Sequence, residues 1–278
     1  MARPKADVGG VLEAPPNGGG AEVPVESPDA TEGQGEPRKG ALVLPTTPTA
    51  PSDTLLDKTT LIYGAPGIGK STLASEFGTV LFLELEPGLS FLNVIRQPIG
   101  DWATFCEWVN ALSKDGGKSY DAICIDTGDV LSKLCSDHTN AKLGVIHESQ
   151  GEYGMGWSVA KNELAKWVNK LAAIPNTGLL VISHSIDVEI KTRNATYNKS
   201  IPTMDKKGRE VFLNLADLVL FADFEDTEDG GEQRVLRTKP SRYWEAKERG
   251  NPPRLPETIV WPEGHGFEVL DQAWRKSK

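Results

Sequence analysis

The sequence predicts an α/β fold: a mainly parallel central sheet flanked by helices, with an antiparallel hairpin extension toward the C-terminus. Three observations carry that prediction. From Thr59 onward, short β-branched or apolar runs alternate with helix-period patterns, as when crossover helices join parallel strands. The first of these runs leads straight into a glycine-rich loop, Gly64-Ala65-Pro66-Gly67-Ile68-Gly69-Lys70-Ser71, that opens a helix. After Ser185 the rhythm changes, and 218–223 and 234–238 read as strands joined across the turn-forming Asp229-Gly230-Gly231.

Taken in order, residues 1–52 come first, with nine of the 19 prolines, eight of the 28 glycines and no aromatic residue. Such a composition buries too little apolar surface to offset its ordering entropy, so a disordered tail is expected there and one folded domain over 53–278. The strands expected are 59–63, 79–85, 122–126 and 178–183. Helices are expected at 70–77, 101–113, 129–138 and 157–173, the last with Val159, Leu164, Val168 and Leu171 at helical spacing.

Several function classes are disfavoured by composition. No apolar run approaches the roughly 18 residues that cross a bilayer, and the N-terminus lacks the apolar stretch of a secretion signal, so a soluble cytoplasmic protein without a membrane partner is expected. Cys106, Cys124 and Cys135 are odd in number and unpaired in spacing, which argues against a disulfide framework; Cys135 and His138 form a lone Cys-x-x-His. A net charge of -9 argues against coating nucleic acid by bulk electrostatics, so any DNA contact must be local.

The loop carries the chemistry. Its glycines let backbone N–H groups turn inward around phosphates, Lys70 neutralises the β- and γ-phosphates, and the Ser71 hydroxyl ligates magnesium. The phosphate-binding residues are therefore Gly64, Ala65, Pro66, Gly67, Ile68, Gly69, Lys70, Ser71 and Thr72, with ATP and Mg2+ as the expected cofactors. The metal also needs a carboxylate at the end of a neighbouring buried strand, which Asp126 supplies after Ala122-Ile123-Cys124-Ile125. The alternative for Asp126 is an acid at the entry to the next helix, where Asp129 is better placed as a cap. Hydrolysis requires a base, and Thr127 stands where many ATPases have Glu. The strand over 79–85 ends in carboxylates, Glu84 and Glu86, which share a face; Glu86, nearest the carboxyl end, is the candidate base, or else a solvated strand-end acid.

Glu86 on the strand after the P-loop helix, followed by Asp126 and by Val181-Ile182-Ser183-His184, resembles the RecA-like ATPases. The nearest likeness is to phage-encoded RecA-core recombination and single-strand annealing proteins, of the AAA ATPase-type phage nucleotide-binding group, which would place the chain in a host cytoplasm. The resemblance spans about 58–260 and implies that His184, with Ser183 as a second possibility, senses the γ-phosphate where the family usually has Gln. It also implies a role for Tyr243-Trp244-Glu245-Ala246-Lys247-Glu248-Arg249-Gly250, which looks like a Lys-x-Arg segment. In such proteins the basic pair, here Lys247 and Arg249, reaches the phosphates of the neighbouring subunit, so the resemblance implies a homo-oligomer with ATP at the subunit interface. The family places a DNA-binding loop after the sensor strand. Here 187–210 gathers Lys191, Arg193, Lys199, Lys206, Lys207 and Arg209 with Tyr197, and single-stranded DNA is the expected partner.

The function expected is thus an ATP-hydrolysing RecA-like protein of DNA recombination, repair or single-strand annealing. Two alternatives remain open: a nucleotide or small-molecule kinase, for which no arginine-rich lid is evident, and a non-catalytic ATP switch such as a helicase-loader-like adaptor.

Overall fold

The strand leading into the glycine-rich loop, β1 (Thr59–Gly64), is buried at all six positions and lies at the centre of the sheet. The structure is a computed structural model describing residues 46–48, 52–150 and 155–276. Apart from 46–48 these fall in one compact unit, Pro51–Lys278, and the tail expected over 1–52 otherwise lies almost wholly outside the described residues. After β1 come α1 (Lys70–Ser75), β2 (Val80–Glu84), β3 (Ile95–Pro98), α2 (Trp102–Asp115), β4 (Ala122–Asp126), α3 (Gly128–Leu143) and α4 (Met155–Ala172). Then follow β5 (Gly178–Lys191), β6 (Thr196–Pro202), α5 (Lys206–Leu215), β7 (Leu218–Asp226), β8 (Glu232–Arg237), β9 (Lys247–Glu248), β10 (Thr258–Val260) and α6 (Gly266–Lys276).

The strand order is β10-β8-β7-β1-β5-β4-β2-β3, with β6 beside β5 and β9 beside β7. The run from β7 to β3 is parallel, and β8, β10, β6 and β9 add antiparallel edges. This is the RecA-like α/β arrangement that the sequence predicts, including the β7–β8 hairpin. Strands covered on both faces need long apolar stretches, which Leu61-Ile62-Tyr63 of β1 and Ala122-Ile123-Cys124-Ile125 of β4 supply. One face packs Leu61, Val181, Phe105, Val109, Leu164 and Phe212 together, and the other packs Ile62, Leu73, Phe82, Leu180, Leu270 and Trp274. No helix among the described residues is long and apolar enough to cross a membrane.

Two expectations are corrected. β5 continues past Ser183 to Lys191, because its buried stretch gives way at His184 to a half-exposed alternation that pairs with β6. The expected basic loop over 187–210 is instead this hairpin followed by helix α5. Asp205 caps α5, accepting from Gly208 N at 2.9 Å, and Val211 and Phe212 bury its apolar side, so Lys206, Lys207 and Arg209 sit on or beside a packed helix. Lys207 is 7% exposed and ion-paired to Glu148 at 2.8 Å and to Asp205, which removes it from any DNA surface.

Candidate functional site

β1 stops at Gly64 while its two neighbours run on. Gly64 lies beside His184 of β5 and Ala222 of β7, and both strands continue outward as hairpins. The loop thus forms the floor between two arms at the carboxyl edge of the parallel strands, where such sheets receive ligands. Glycine is demanded at both ends of it. A Cβ on Gly64 would stand 2.3 Å from Ala222 O, and Gly69, capping α1, has a φ of 101°. Ala65, Pro66 and Gly67 form an exposed crest, Ile68 anchors it in the core, and Ser71 and Thr72 follow Lys70 in the first turn of the helix. The first N–H groups of α1 have no partners within the helix and are available to an anion.

Lys70 is 5% exposed and donates through Nζ to Gly64 O at 3.0 Å and Ala65 O at 2.9 Å. Burial lowers its pKa to about 8, opposed by the charges of Asp126, Asp129 and Glu86. Ser71 Oγ donates to Asp126 Oδ2 at 2.8 Å, so the expected magnesium pair is already assembled from hard oxygen donors. Asp126 is almost fully buried, and burial raises its pKa. Among the described residues no group of three or more His, Cys, Asp or Glu side chains is placed to hold a metal. The Ser71–Asp126 pair fits an ion whose other ligands are phosphate and water.

Glu86 is drawn to the same edge because Leu85 N and Glu86 N both donate to Asp126 O, at 2.7 and 3.3 Å. Thr127 Oγ1 donates to Glu86 Oε1 at 3.2 Å, and His184 Nε2 lies 3.4 Å from Glu86 Oε2. Thr127, which the sequence marks only as the residue that is not Glu, orients the candidate base. Glu84 is committed elsewhere, paired with Arg96 at 3.1 Å. His184 Nδ1 is buried without a hydrogen-bond partner among the described residues, an unused site beside the loop.

Asp129 is not the helix cap expected of it, since Thr127 holds that position. Its carboxylate accepts from Ser183 Oγ at 2.9 Å and His184 N at 3.1 Å, pinning the end of β5 that carries the sensor candidates. Burial raises the Asp129 pKa. The sequence signal was present, an acid in the first turn of the helix that follows β4, but its partner lay 54 residues away.

Lys247 and Arg249 are not brought to this edge. β9 pairs with the start of β7, opposite the end that flanks Gly64, roughly 10 Å or more away at 3.3 Å per residue. There Lys247 Nζ donates to Leu213 O at 2.7 Å, and Arg249 bonds Asn214 O and Asp217, so both cations complete the C-terminal carbonyls of α5.

The β5–β6 hairpin carries the rest of the expected DNA residues. Lys191 pairs with Glu189 and Lys199 with Glu245, each at 2.8 Å, while Arg193 is exposed near the tip. Tyr197 meets Tyr243 edge-on at 6.0 Å between ring centroids, and Arg242 lies over Tyr243 at 5.9 Å. Sequence spacing hid Tyr243, which the fold places beside Tyr197, and Arg242, which lies over Tyr243.

A parallel sheet with a phosphate loop at its carboxyl edge, closed by Ser71, Asp126 and Glu86, defines a RecA-like P-loop nucleotide-binding protein. Residues 57–250, more than half of the chain, match a family model described as an AAA domain, and the chain belongs to that family. No curated protein matches it. Among solved structures it is similar to the RadB recombinase, at 15% identity over 75% of this chain and 89% of that one, with a TM-score of 0.43. It is also similar to the flagellar accessory protein FlaH of Methanocaldococcus jannaschii, at 11% identity over 74% and 84%, with a TM-score of 0.39.

Proposed function

We propose that the protein binds and hydrolyses ATP with magnesium and uses the cycle on single-stranded DNA, in recombination, repair or strand annealing. The observation that carries this is the convergence of Ser71, Asp126, Glu86 and His184 on one edge, with 2.8 Å between Ser71 and Asp126 and 3.4 Å between Glu86 and His184. Bound ATP and magnesium would supply the phosphoanhydride and a divalent charge on its phosphates. Lys70 and the loop amides hold the phosphates, Ser71 and Asp126 hold the metal, and Glu86, held by Thr127, takes a proton from the attacking water. His184 donates toward the terminal phosphate. The DNA half of the proposal draws support from Arg193 and Tyr197 on the arm that continues from His184 and from Tyr243 and Arg242 in the segment beside it, a small aromatic and basic surface.

Lys247 and Arg249 are proposed to act on a neighbouring subunit's nucleotide, since they are far from their own. They must leave the α5 carbonyls to do so, which ties hydrolysis to assembly. The test is ATP hydrolysis titrated against single-stranded and duplex DNA at several protein concentrations. Stimulation by single strands, rising with protein concentration and absent in Lys70→Ala, is the expected result. If DNA changes neither the rate nor the oligomeric state, the DNA role is wrong. Phosphate appearing on an added nucleoside would make the protein a kinase.

A further inference from the structure

Arg234 occupies a position that the site described so far does not use. Gly64 pairs with Ala222, and Ala222 with Leu236, so Arg234 stands two residues further out along β8, beyond the level of the loop. A Cβ on Gly69 would lie 3.5 Å from Arg234 Nη1 and 3.6 Å from Trp261 Cη2. Trp261 is 3% exposed and donates its backbone N–H to Arg234 O at 3.1 Å, which fixes the two residues as one wall of the loop.

A guanidinium has five N–H donors. Among the described residues that of Arg234 has one charged contact, Glu263 at 3.7 Å, itself 80% exposed, and no side-chain hydrogen bond. Arg237 on the same strand, by contrast, bonds Glu225 at 2.9 Å and Thr258 at 3.0 Å. A half-buried cation with unspent donors therefore packs against a loop shaped for phosphate.

Sidedness says which part of a nucleotide it meets. Asp126 of β4, His184 of β5 and Glu86, just past the end of β2, all lie on one side of β1, and Arg234 lies on the other, across β7. The metal-bound terminal phosphates face the first side, so the nucleoside end faces the second. We propose that Arg234 is a nucleotide-binding residue that grips the phosphate next to the nucleoside, with Trp261 as the positioning residue behind it. The proposal rests on the nucleotide-binding reading above and gives the site a contact common to ADP and ATP.

Equilibrium binding of fluorescent ADP and ATP, with magnesium, tests it in the full chain and in Arg234→Gln, Arg234→Lys and Glu263→Gln. Arg234→Gln weakens both nucleotides by the same factor, about 10- to 100-fold, the range of a charge-assisted hydrogen bond. Arg234→Lys restores part of the loss, and Glu263→Gln binds as well as wild type. Equal affinities for Arg234→Gln and wild type overturn the proposal. So does a loss for ATP alone, which would put Arg234 at the terminal phosphate, or a loss in Glu263→Gln as large as that in Arg234→Gln. Should Arg234→Gln fail to fold, Arg234→Lys, weakened for both nucleotides alike, carries the same test. If wild type binds neither nucleotide, the underlying reading fails as well, and that outcome is distinct from the others.

Discussion

Replacing Asp126 with Asn separates what the site costs the folded chain from what it does for a ligand. Asp126 is 8% exposed and accepts from Ser71 Oγ at 2.8 Å. An amide oxygen can accept the same bond, so the substitution removes charge and little else. Burial raises the folded-state pKa of Asp126. An acid with a raised folded pKa destabilises the fold when ionised, so the cost is present at neutral pH and vanishes as pH falls below the unfolded value near 4. The ligand-free variant therefore melts higher than wild type at pH 7, and the gain disappears in acid. With magnesium and ATP at about 100 times the dissociation constant, wild type gains about 2.7 kcal/mol, or roughly 5–11 °C. The variant loses the part of that gain that depends on magnesium. Thermal melts with and without nucleotide, magnesium and chelator read both effects. A lower Tm in the ligand-free variant, or an unchanged magnesium increment, would refute the reasoning.

Three other expectations follow from the geometry. Glu86→Gln keeps an acceptor for Thr127 but loses the base, so nucleotide affinity stays within about twofold while the hydrolysis rate falls about 100-fold or more; single-turnover kinetics measure it. Lys70, with a pKa of about 8 in the ligand-free protein, is raised by bound phosphates, so binding takes up a proton above pH 8. Affinity is then insensitive to Lys70 titration below pH 8 and falls by up to about tenfold per unit above it, and a flat binding profile to pH 9.5 would contradict this. Lys247→Ala removes one cap from α5, costing about 0.5–1 kcal/mol in a thermal melt. If the residue also acts in trans, hydrolysis in the assembled state is lost while nucleotide binding survives; a lower Tm with normal turnover means it is a cap alone.

The parts of the fold legible in the sequence are those specified within a few residues. β1, the loop and α1 are written contiguously, and β4 is a bare apolar run ending in Asp126. Glu86 was reachable because Thr127 is not Glu, which moved the search to the neighbouring strand. What escaped depends on contacts distant in sequence. Lys207 looks like a free cation beside Lys206 and Arg209, yet Glu148, 59 positions earlier, holds it at 2.8 Å under Trp157. Asp129 has the composition of a cap and the partners of a brace, Ser183 and His184. β5 seemed to end where its burial ends, because alternating Ile186, Val188 and Ile190 between polar residues also describes an exposed ribbon, which it is.

The proposed DNA surface, the proposed trans cations and the phosphate loop meet at one buried side chain. Tyr63, the residue before Gly64, donates its hydroxyl to Glu245 O at 2.7 Å and accepts from Glu245 N at 2.8 Å, with Ser200 O at 3.2 Å. Ser200 belongs to the β5–β6 hairpin and also receives Glu245 N, while its own N–H donates to Tyr243 O at 2.7 Å. The segment 243–245, two residues before Lys247, is therefore locked to the hairpin and to β1 together. Releasing Lys247 and Arg249 from α5 toward a neighbour displaces this segment, and each buried hydrogen bond left unmade costs about 1–3 kcal/mol. A ligand shifts such an equilibrium only by its difference in affinity for the two arrangements. Single-stranded DNA stacked on Tyr197 and Tyr243, at about 1–3 kcal/mol per base, is of the right size to supply that difference. Stimulation of hydrolysis by DNA then requires no contact between DNA and nucleotide, because the hairpin that would hold one is hydrogen-bonded to the segment that would complete the site for the other.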